Sequence, residues 1–449
     1  MRPTLLIFTS TVSLLALLGM PVHTIAQEQQ NAPHPNRYTV TDLGTLGGAG
    51  TNSTATDINN AGWVAGSANL VSGGPQHAFL SYRHHLQDLG TLDGPACPAC
   101  NSEADGPNLS GEAAIGSETS TYLGPTGEDF CEYGSHRQCL GAIWKNGAMS
   151  ALSTLPGGNN ANAFDLNDRG QVIGFAENAI RDSTCSFGTP FQVRRFEAVI
   201  WEPSGEIREL PPLPGDTVGF AFGINNNGQA VGTTGLCSNT SLPPVNPAGV
   251  HAVLWDRDGS PTDLGSLGGT SNGASSINDR GEVAGVAISP KDGTIHAFLW
   301  TRETGMQDFG AFPGAIATVA PCCRTINDWG LMVGLSIDGT TFNPRALVWQ
   351  GKVPVDLNTL IPNNSPWYLL GALSVNNAGE IVGFGLINGN LHAFLATPTT
   401  SEDDSESAAS GQQAGSSEAG NVVLTEDTRK QIQKLLRFRL PGAQPFDPK

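Results

Sequence analysis

The sequence has few charged residues and hardly any long apolar run, and both shortages limit what the protein can be. Charged residues make up 14% of the 449 residues, and 23 lysines and arginines face 41 acidic residues, giving a formal net charge of −18. So acidic a chain repels nucleic acid, and we expect no nucleic-acid partner. Beyond the N-terminal segment no apolar stretch is long enough to span a bilayer, so we expect no transmembrane segment.

The sequence also lacks the motifs that usually identify an enzyme. It contains no G-x-S-x-G nucleophile elbow, no H-E-x-x-H zinc motif, no phosphate-binding loop and no dinucleotide fingerprint. Each of these motifs places reactive groups at a spacing that its chemistry requires. Their absence favours a binding module over an enzyme.

What the sequence does contain is a repeat. A phrase punctuated by glycine returns seven times, clearest in Ser-Ile-Asn-Asp-Arg-Gly-Glu-Val-Ala-Gly at residues 276–285. Intervals of 49 to 59 residues separate its copies, which is the scale of propeller blades. We number the repeats units one to seven in chain order, and their central asparagines are Asn59, Asn108, Asn167, Asn225, Asn278, Asn327 and Asn376.

Each unit contains four short segments rich in strand-forming residues, which in unit five are residues 273–277, 282–287, 296–300 and 306–309. Asn, Asp and Gly lie between the first two segments and tolerate the backbone of a tight hairpin. The sequence therefore predicts an all-β, seven-bladed β-propeller of four-stranded blades. Unit seven lacks a fourth segment, whereas residues 38–43 have no unit of their own. We predict that this N-terminal strand completes the last blade and closes the ring.

Three phrases recur in the same order within the units. They are His-Ala-Phe, at His77, His296 and His392, Asp-Leu-Gly-x-Leu, at Asp42 and Asp88, and the Gly-x-Val-x-Gly second strands. In this the chain resembles the HAF family of extracellular repeat proteins between residues 38 and 397. The resemblance implies a secreted, propeller-like repeat protein and brings no catalytic residue with it. Because His77, His251, His296 and His392 share one strand position, we expect them to serve packing.

The segments outside the repeats complete the predicted domain organisation. Residues 1–26 have the charged, apolar and small-residue sections of a signal peptide, which predicts a secreted protein, extracellular or periplasmic. Residues 27–37 form an N-terminal linker before the propeller at 38–397. Residues 398–421 are acidic and rich in Ser, Gly and Ala, which is typical of a disordered linker. Residues 422–449 are predicted to contain a short amphipathic helix and a tail.

The eight cysteines of an exported chain predict disulfide bonds. Cys131 with Cys139, and Cys185 with Cys237, are the predicted loop staples. Cys97 and Cys100 form a C-x-x-C motif, for which a disulfide, a redox pair and half of a zinc site are all open. The partners of Cys322 and Cys323 are not predicted.

Long insertions between the second and third strands of units two, three and four provide the candidate binding site. Loops that break a repeat carry residues that the scaffold itself does not need, so we predict ligand binding on this loop-rich rim. Aromatic side chains and charges of both signs suit a carbohydrate or protein ligand. The candidates are Tyr122, Glu128, Asp129, Glu132, Tyr133, His136, Arg137, Arg194 and Arg195.

Two alternatives remain open for these loops. Glu128, Asp129 and Glu132 offer oxygen ligands for calcium, and no other cofactor is predicted. The protein is otherwise a secreted hydrolase or lyase acting on polysaccharide at the axial funnel. Its acid and base would be paired carboxylates, either Glu103 with Asp105 or Glu128 and Asp129 with His136.

Overall fold

The strands of the protein follow its sequence repeat. A computed structural model describes residues 37–125, 128–131, 133–185, 194–240, 250–321, 324–399 and 424–437. In unit five the observed strands are Asn272–Ile277, Val283–Ile288, Ile295–Thr301 and Gly305–Asp308, each within two residues of its predicted bounds. The described residues are overwhelmingly β, so the predicted all-β class is confirmed. The signal peptide, most of both linkers, Glu132, Cys322 and Cys323 lie outside the described residues.

Five sheets contain four strands each, and within each sheet neighbouring strands are antiparallel. In four of these five sheets, neighbouring strands are also consecutive along the chain. They are β2 (Ser53–Ile58), β3 (Val64–Asn69), β4 (Gln76–Tyr82) and β5 (His85–Gly90); β6 (Ser102–Asp105), β7 (Ala113–Tyr122), β8 (Arg137–Lys145) and β9 (Ala148–Ala151); β10 (Ala161–Leu166), β11 (Val172–Arg181), β12 (Arg194–Trp201) and β13 (Ile207–Leu210); and β14 (Val218–Ile224), β15 (Ala230–Gly235), β16 (Val250–Trp255) and β17 (Pro261–Asp263).

A larger sheet of eight strands joins two antiparallel sets of four. The sets are β18 (Asn272–Ile277), β19 (Val283–Ile288), β20 (Ile295–Thr301) and β21 (Gly305–Asp308), then β22 (Ala315–Val319), β23 (Val333–Asp338), β24 (Pro344–Gln350) and β25 (Val353–Asp356). A single parallel residue pair, Ile295 with Ala317, connects them. Each set therefore has the same internal order as the four-stranded sheets.

The remaining sheet unites the two ends of the repeat region. Its order is β1 (Tyr38–Gly44), β28 (Asn390–Pro398), β27 (Ile381–Ile387) and β26 (Trp367–Val375). β1 runs antiparallel to β28, with Tyr38 opposite Pro398 and Thr41 opposite Leu395. The predicted pairing of the N-terminal strand with the last unit is confirmed.

Helices are few among the described residues. A short α1 (Cys237–Thr240) and the 3-10 turns Gly94–Ala96 and Leu357–Leu360 lie in connections. The predicted C-terminal helix is α2 (Glu426–Arg437), and the Thr425 hydroxyl caps it by accepting a hydrogen bond from the Thr428 amide. No helix in the described part of the chain is both long and apolar enough to cross a membrane.

The repeated asparagine joins one unit to the next. Its side-chain oxygen accepts hydrogen bonds from the amides two and four residues later, as in Asn278 with Arg280 and Glu282. This holds the tight turn that glycine completes at positive φ, as at Gly281. Its side-chain nitrogen donates to the main-chain carbonyl of the next unit's asparagine. These donations run from Asn59 to Asn108, Asn167 to Asn225, Asn225 to Asn278, Asn278 to Asn327, Asn327 to Asn376 and Asn376 to Asn59.

A β-bulge precedes this asparagine in five of the first strands. The extra residue lies three positions before the asparagine, and the register shifts around it in β2, β10, β14, β18 and β26. A bulge redirects one side chain without changing the rest of the strand. The bulged residues differ from unit to unit and are Thr56, Phe164, Phe222, Ser275 and Leu373. In units two and six the same position holds Asp105 and Arg324.

Side chains from neighbouring units pack together between the sheets. Trp201, Trp255 and Trp349 occupy one third-strand position, are fully buried and donate their indole N–H to a carbonyl of the preceding unit. These bonds satisfy the one polar atom of each ring. The described core is therefore a series of inter-unit clusters.

Candidate functional site

A cavity of about 230 Å³ lies among the first strands of units one, two and three. β2, β6 and β10 contribute its walls, the unit-two insertion reaches it with Tyr133, and α2 reaches it with Gln431. The polar side chains that line it are Asn52, Ser53, Thr54, Ser67, Asn69, Gln76, Glu103, Asp105, Tyr133, Asn162 and Gln431. Such a concentration of amides, hydroxyls and carboxylates offers many hydrogen-bond partners to a polar ligand.

Two carboxylates of β6 belong to this lining. Glu103 and Asp105 are separated by one residue, so they lie on the same face of the strand, with Cα atoms roughly 7 Å apart. Asp105 is buried and Glu103 is half-buried. The pair that the sequence offered for the axial funnel therefore does line a cavity. β6 holds both residues in place by pairing Glu103 with Gly116 and Asp105 with Ala114 of β7.

Aromatic groups line the same cavity. Phe164, the bulged residue of β10, stacks on Phe175 at 5.5 Å and contacts Phe222 at 5.4 Å between ring centroids. Phe175 also contacts Phe130 of the unit-two insertion at 4.8 Å. Tyr133 packs on the same cluster and lines the cavity. The cavity thus combines an aromatic surface with a polar one.

The acidic candidates of the unit-two insertion are buried in the loop itself. The Glu128 carboxylate accepts a hydrogen bond from the Asn160 side chain at 2.9 Å, and the Asp129 carboxylate accepts one from the Gly134 amide at 2.6 Å. Their relative exposures are 8% and 5%. This burial withdraws the two carboxylates from the surface of the protein, and their contact with a ligand stays a prediction. This burial could not be predicted from the sequence, because acidic loop residues are usually solvated.

The basic candidates lie along the strands and are tied to neighbouring groups. Arg137 donates to the carbonyl of Ser120, and Arg194 to that of Gly157. Arg195 pairs with Asp182 at 3.1 Å. Burial and then the charge of Glu209 raise the pKa of Glu197 to about 7, while Arg195 lowers it. None of the three arginines lines the cavity.

The other two candidates of the insertion lie apart from the cavity lining. Tyr122 ends β7 and is 56% exposed. His136 is at positive φ immediately before β8, so its backbone forms the turn into that strand. The structure describes eight of the nine predicted residues, all except Glu132. Among these eight, only Tyr133 lines the cavity.

Both predicted disulfides are present, and a third joins the two cysteines of the C-x-x-C motif. Cys97 bonds to Cys100, Cys131 to Cys139 and Cys185 to Cys237, with Cα separations of 5.4, 5.6 and 4.7 Å. The first bond shows the C-x-x-C motif as a disulfide, a form that a structural bond shares with an oxidised redox pair. The second holds the insertion that carries Tyr133, and the third links units three and four.

One group of residues in the described part of the chain has the spacing of a metal site, namely Asp182, Cys185 and Cys237. Two of its three ligand atoms are the sulfurs of a disulfide, which are not the thiolates that bind metals. Glu128 and Asp129, the calcium candidates, belong to no such group among the described residues. Calcium binding by the insertion stays a prediction.

Arg324 crosses between distant units and was not predicted from the sequence. Its guanidinium contacts Asp57 of unit one at 3.5 Å and Asp165 of unit three at 3.1 Å, and donates to the carbonyls of Pro107 and Leu166. Burial raises the pKa of Asp57 to about 6, with Arg324 lowering it and Asp165 raising it further. Arg324 also lines a second cavity, of about 70 Å³, among the asparagine turns. This ion cluster therefore ties three units together.

The repeated histidines have structural partners, as expected. The His77 imidazole meets the Asp88 carboxylate at 2.9 Å, His296 meets Asp308 at 2.8 Å, and His392 of β28 meets Asp42 of β1 at 2.9 Å. Each of these aspartates also accepts the amide of the glycine two residues later. The His-Ala-Phe and Asp-Leu-Gly phrases are thus two halves of one contact between adjacent strands. His251 pairs instead with Asp216 at 2.8 Å.

No protein-family model and no curated protein matches the sequence. Among solved structures it is similar to the β-propeller domain of the Trilobed protease from Pyrococcus furiosus, with 8% identity over 78% of this chain and 96% of that one and a TM-score of 0.47. An oligogalacturonate lyase in complex with manganese matches at 11% identity over 81% and 93%, with a TM-score of 0.47. A puromycin-hydrolyzing peptidase from Mycobacterium tuberculosis matches at 13% identity over 83% and 54%, with a TM-score of 0.48. This chain spans about half of that peptidase. Similarities at this level carry no conclusion about activity.

Proposed function

We propose that the protein is an extracellular carbohydrate-binding module that takes its ligand into the cavity between units one, two and three. The observation that carries this proposal is the presence in one cavity of Tyr133 and Phe164 together with Glu103, Asp105 and side-chain amides. Aromatic rings pack against the apolar faces of a sugar ring, and carboxylates and amides bind its hydroxyls. At about 230 Å³ the cavity suits one sugar unit or the end of a chain.

The scaffold for this site is, in our proposal, a closed ring of seven four-stranded blades. The seven sets of four strands support this count. The side-chain nitrogen of Asn376 donates to the carbonyl of Asn59, which supports a direct contact between the last unit and the first. A ring places the first strand of every unit near one axis, where strands of three units together line a cavity.

An extracellular or periplasmic location is also part of the proposal. The N-terminal sequence is typical of a secretory signal. Three disulfides support exposure to an oxidising compartment, because such bonds rarely persist in the cytosol. A soluble or cell-wall glycan is the ligand that such a location makes accessible.

Two tyrosines of the same insertion test where the ligand binds. A glycan array probed with the protein lacking residues 1–26 identifies a ligand, and calorimetry then compares Tyr133→Ala with Tyr122→Ala. We expect Tyr133→Ala to weaken binding at least tenfold, because its ring lines the cavity, and Tyr122→Ala to leave affinity unchanged. The opposite result would place the ligand on the outer rim. The absence of any glycan ligand would reject the proposal.

A carbohydrate-cleaving enzyme is the second candidate, because Glu103 and Asp105 both line the cavity. Carboxyl groups about 5 to 10 Å apart are the spacing that glycoside hydrolysis uses. Reducing-end assays on the glycans that bind would detect cleavage. If the pair is catalytic, Glu103→Gln and Asp105→Asn should each abolish turnover while glycan binding persists. Binding without turnover in the unmutated protein would reject the enzyme and retain the binding module.

A further inference from the structure

The C-terminal helix α2 contributes to the cavity. The side-chain nitrogen of Asn52 donates to the side-chain oxygen of Gln431 at 2.8 Å, and both residues belong to the cavity lining. Asn52 precedes β2, so 379 residues of chain separate the two groups. A side-chain amide of the helix therefore takes up a hydrogen-bonding group that would otherwise face a ligand.

Two apolar residues hold α2 at this place. Leu424 and Ile432 have relative exposures of 5% and 4% and belong to one packed cluster with Phe384 and Leu391. Leu391 also lines the cavity. Leu424 lies two residues before α2, whereas Ile432 lies within the helix and next to Gln431, so the anchored part of the helix is also the part that reaches the cavity. Glu426 and Lys430, which form an exposed pair at 3.8 Å, lie on another face.

The chain between β28 and α2 is long enough for the helix to move away from the cavity. Residues 400–423 separate Thr399 from Leu424, and 24 residues can span up to roughly 80 Å when extended. A helix of 12 residues is marginal in water by itself, so its stability depends on its docking. Docking and helix formation are therefore coupled, and both oppose any ligand that needs the place of Gln431 in the cavity or its hydrogen bond with Asn52.

We propose that α2 is an intramolecular cap that closes the carbohydrate cavity, and that ligand binding displaces it. This inference rests on the proposed function for the statement that the cavity binds carbohydrate. That α2 covers the cavity does not depend on the proposed function. The tether keeps the cap at a high effective concentration, so the full chain binds more weakly than a chain without it. With such a cap, ligand affinity would increase when the C-terminal segment is removed or is bound by another molecule.

Chemical access to the cavity tests the cap without any ligand. Ser67→Cys places a thiol of nearly the same shape in the lining. Its reaction rate with a small charged methanethiosulfonate reagent is followed by mass spectrometry of the peptide that contains it. The rate is compared between the full chain, a chain ending at Thr399, and the undocking variant Ile432→Asp. We expect both changes to raise the rate at least tenfold.

Lys430→Ala is the matched control, because Lys430 is exposed on the same helix and lies outside the cavity. It should leave the rate unchanged. A synthetic peptide of residues 421–440, added to the truncated chain, should restore protection. Equal rates in the full and truncated chains would overturn the cap. Near-ultraviolet circular dichroism of each variant verifies that the ring itself remains folded.

The reagent-access and glycan-binding experiments distinguish a wrong cap proposal from a wrong carbohydrate-site proposal. If truncation opens the cavity to the reagent but neither chain binds any glycan, the cap stands and the proposed function is rejected. If both chains bind a glycan with equal affinity and react equally, the site stands and the cap is rejected. If both proposals hold, truncation should increase glycan affinity about as much as it increases reagent access.

Discussion

At the scale of single residues, the contact of Arg324 with Asp57 and Asp165 shows how charge is tolerated between the units. Asp57 is fully buried, and one of its carboxylate oxygens has no hydrogen-bond partner among the described residues. A buried anion costs several kcal/mol unless a cation and hydrogen bonds compensate it. Arg324 supplies the positive charge, while Ser374 and the Ile58 amide bind the other oxygen. The raised pKa of Asp57 shows that this compensation is incomplete.

Asp57 should therefore make the protein less stable as the pH rises. Burial raises its pKa to about 6 in the folded state, against 3.8 for the ordinary group. Between these values the folded state holds a proton that the unfolded state releases, so the free energy of unfolding falls as the pH rises through that window. Its contribution is complete below pH 4 and lost above pH 6, by at most about 3 kcal/mol.

Urea denaturation at pH 4, 5, 6 and 7 measures this effect. We expect Asp57→Asn to remove most of the decline between pH 4 and 6, and exposed Asp263→Asn to leave it in place. An identical pH profile for Asp57→Asn and the unmutated protein would show that Asp57 is ionised like an ordinary carboxyl. Far-ultraviolet circular dichroism at each pH verifies that the variants start from the folded state.

At the scale of the structural element, the turn between first and second strands is the unit that repeats. Asn278 is buried, and its side chain makes four hydrogen bonds: with the amides of Arg280 and Glu282, the carboxylate of Glu282 and the carbonyl of Asn327. Asn108 makes the corresponding turn contacts, but among the described residues its nitrogen donates to Glu112 and not to the next unit. The Leu109 amide still donates to Asp168 of unit three, as the Asp279 amide donates to Asp328 in the next unit.

This difference provides a matched pair of substitutions. We expect Asn278→Ala to cost about 2 to 4 kcal/mol, since it leaves buried amides and a carbonyl without partners. Asn108→Ala should cost about 1 kcal/mol less, because it removes the turn contacts but no bond to the next unit. Thermal and urea denaturation give both values. Equal losses would mean that the inter-unit hydrogen bond adds nothing to stability.

The elements were predicted well because their signals are local. Strand limits, hairpin turns and the start of α2 follow from residues such as Asn278, Gly281 and Thr425, whose effects extend over a few positions. The site was predicted poorly because it depends on side chains brought together from distant units. Tyr133 and the Glu103–Asp105 pair were named, but Asn162, Phe164 and Gln431 were not.

One signal in the repeat could have identified more of these residues. At the second and third positions before the asparagine, most units have uncharged side chains. Asp57 and Asp165 are charged at the second position, and Asp105 and Arg324 are charged at the third, which is the bulged position in the other five units. Comparing units position by position would have singled out these four residues, and with them the three members of the Arg324 ion cluster. It would not have shown that Glu128 and Asp129 turn inward, because that depends on how the insertion packs.

At the scale of the whole molecule, β1 is what joins the ends of the repeat region. Tyr38 is fully buried in a cluster with Trp367 and Phe394, and Asp42 binds His392 across the same pair of strands. Without β1, the edge of β28 would be exposed together with this cluster. Deleting residues 38–43 should therefore lower the melting temperature much more than deleting residues 401–449, although the second deletion also removes the buried side chains of Leu424 and Ile432.

A designed crosslink tests both the pairing and its register. Thr39 and Thr397 lie directly opposite each other, and antiparallel partners have Cα separations of about 4.5 to 5.5 Å, within the range of a disulfide. We expect Thr39→Cys with Thr397→Cys to oxidise spontaneously and to raise the melting temperature, because the bond closes a very long loop in the unfolded chain.

The control pair is Thr39→Cys with Thr399→Cys. It is two residues out of register, which places the thiols too far apart to bond without backbone movement. Non-reducing peptide mapping detects either crosslink. If the control pair bonds as readily as the matched pair, the ends are held loosely, and the closed ring that we propose would then depend on the contacts between units seven and one, such as the hydrogen bond from Asn376 to Asn59.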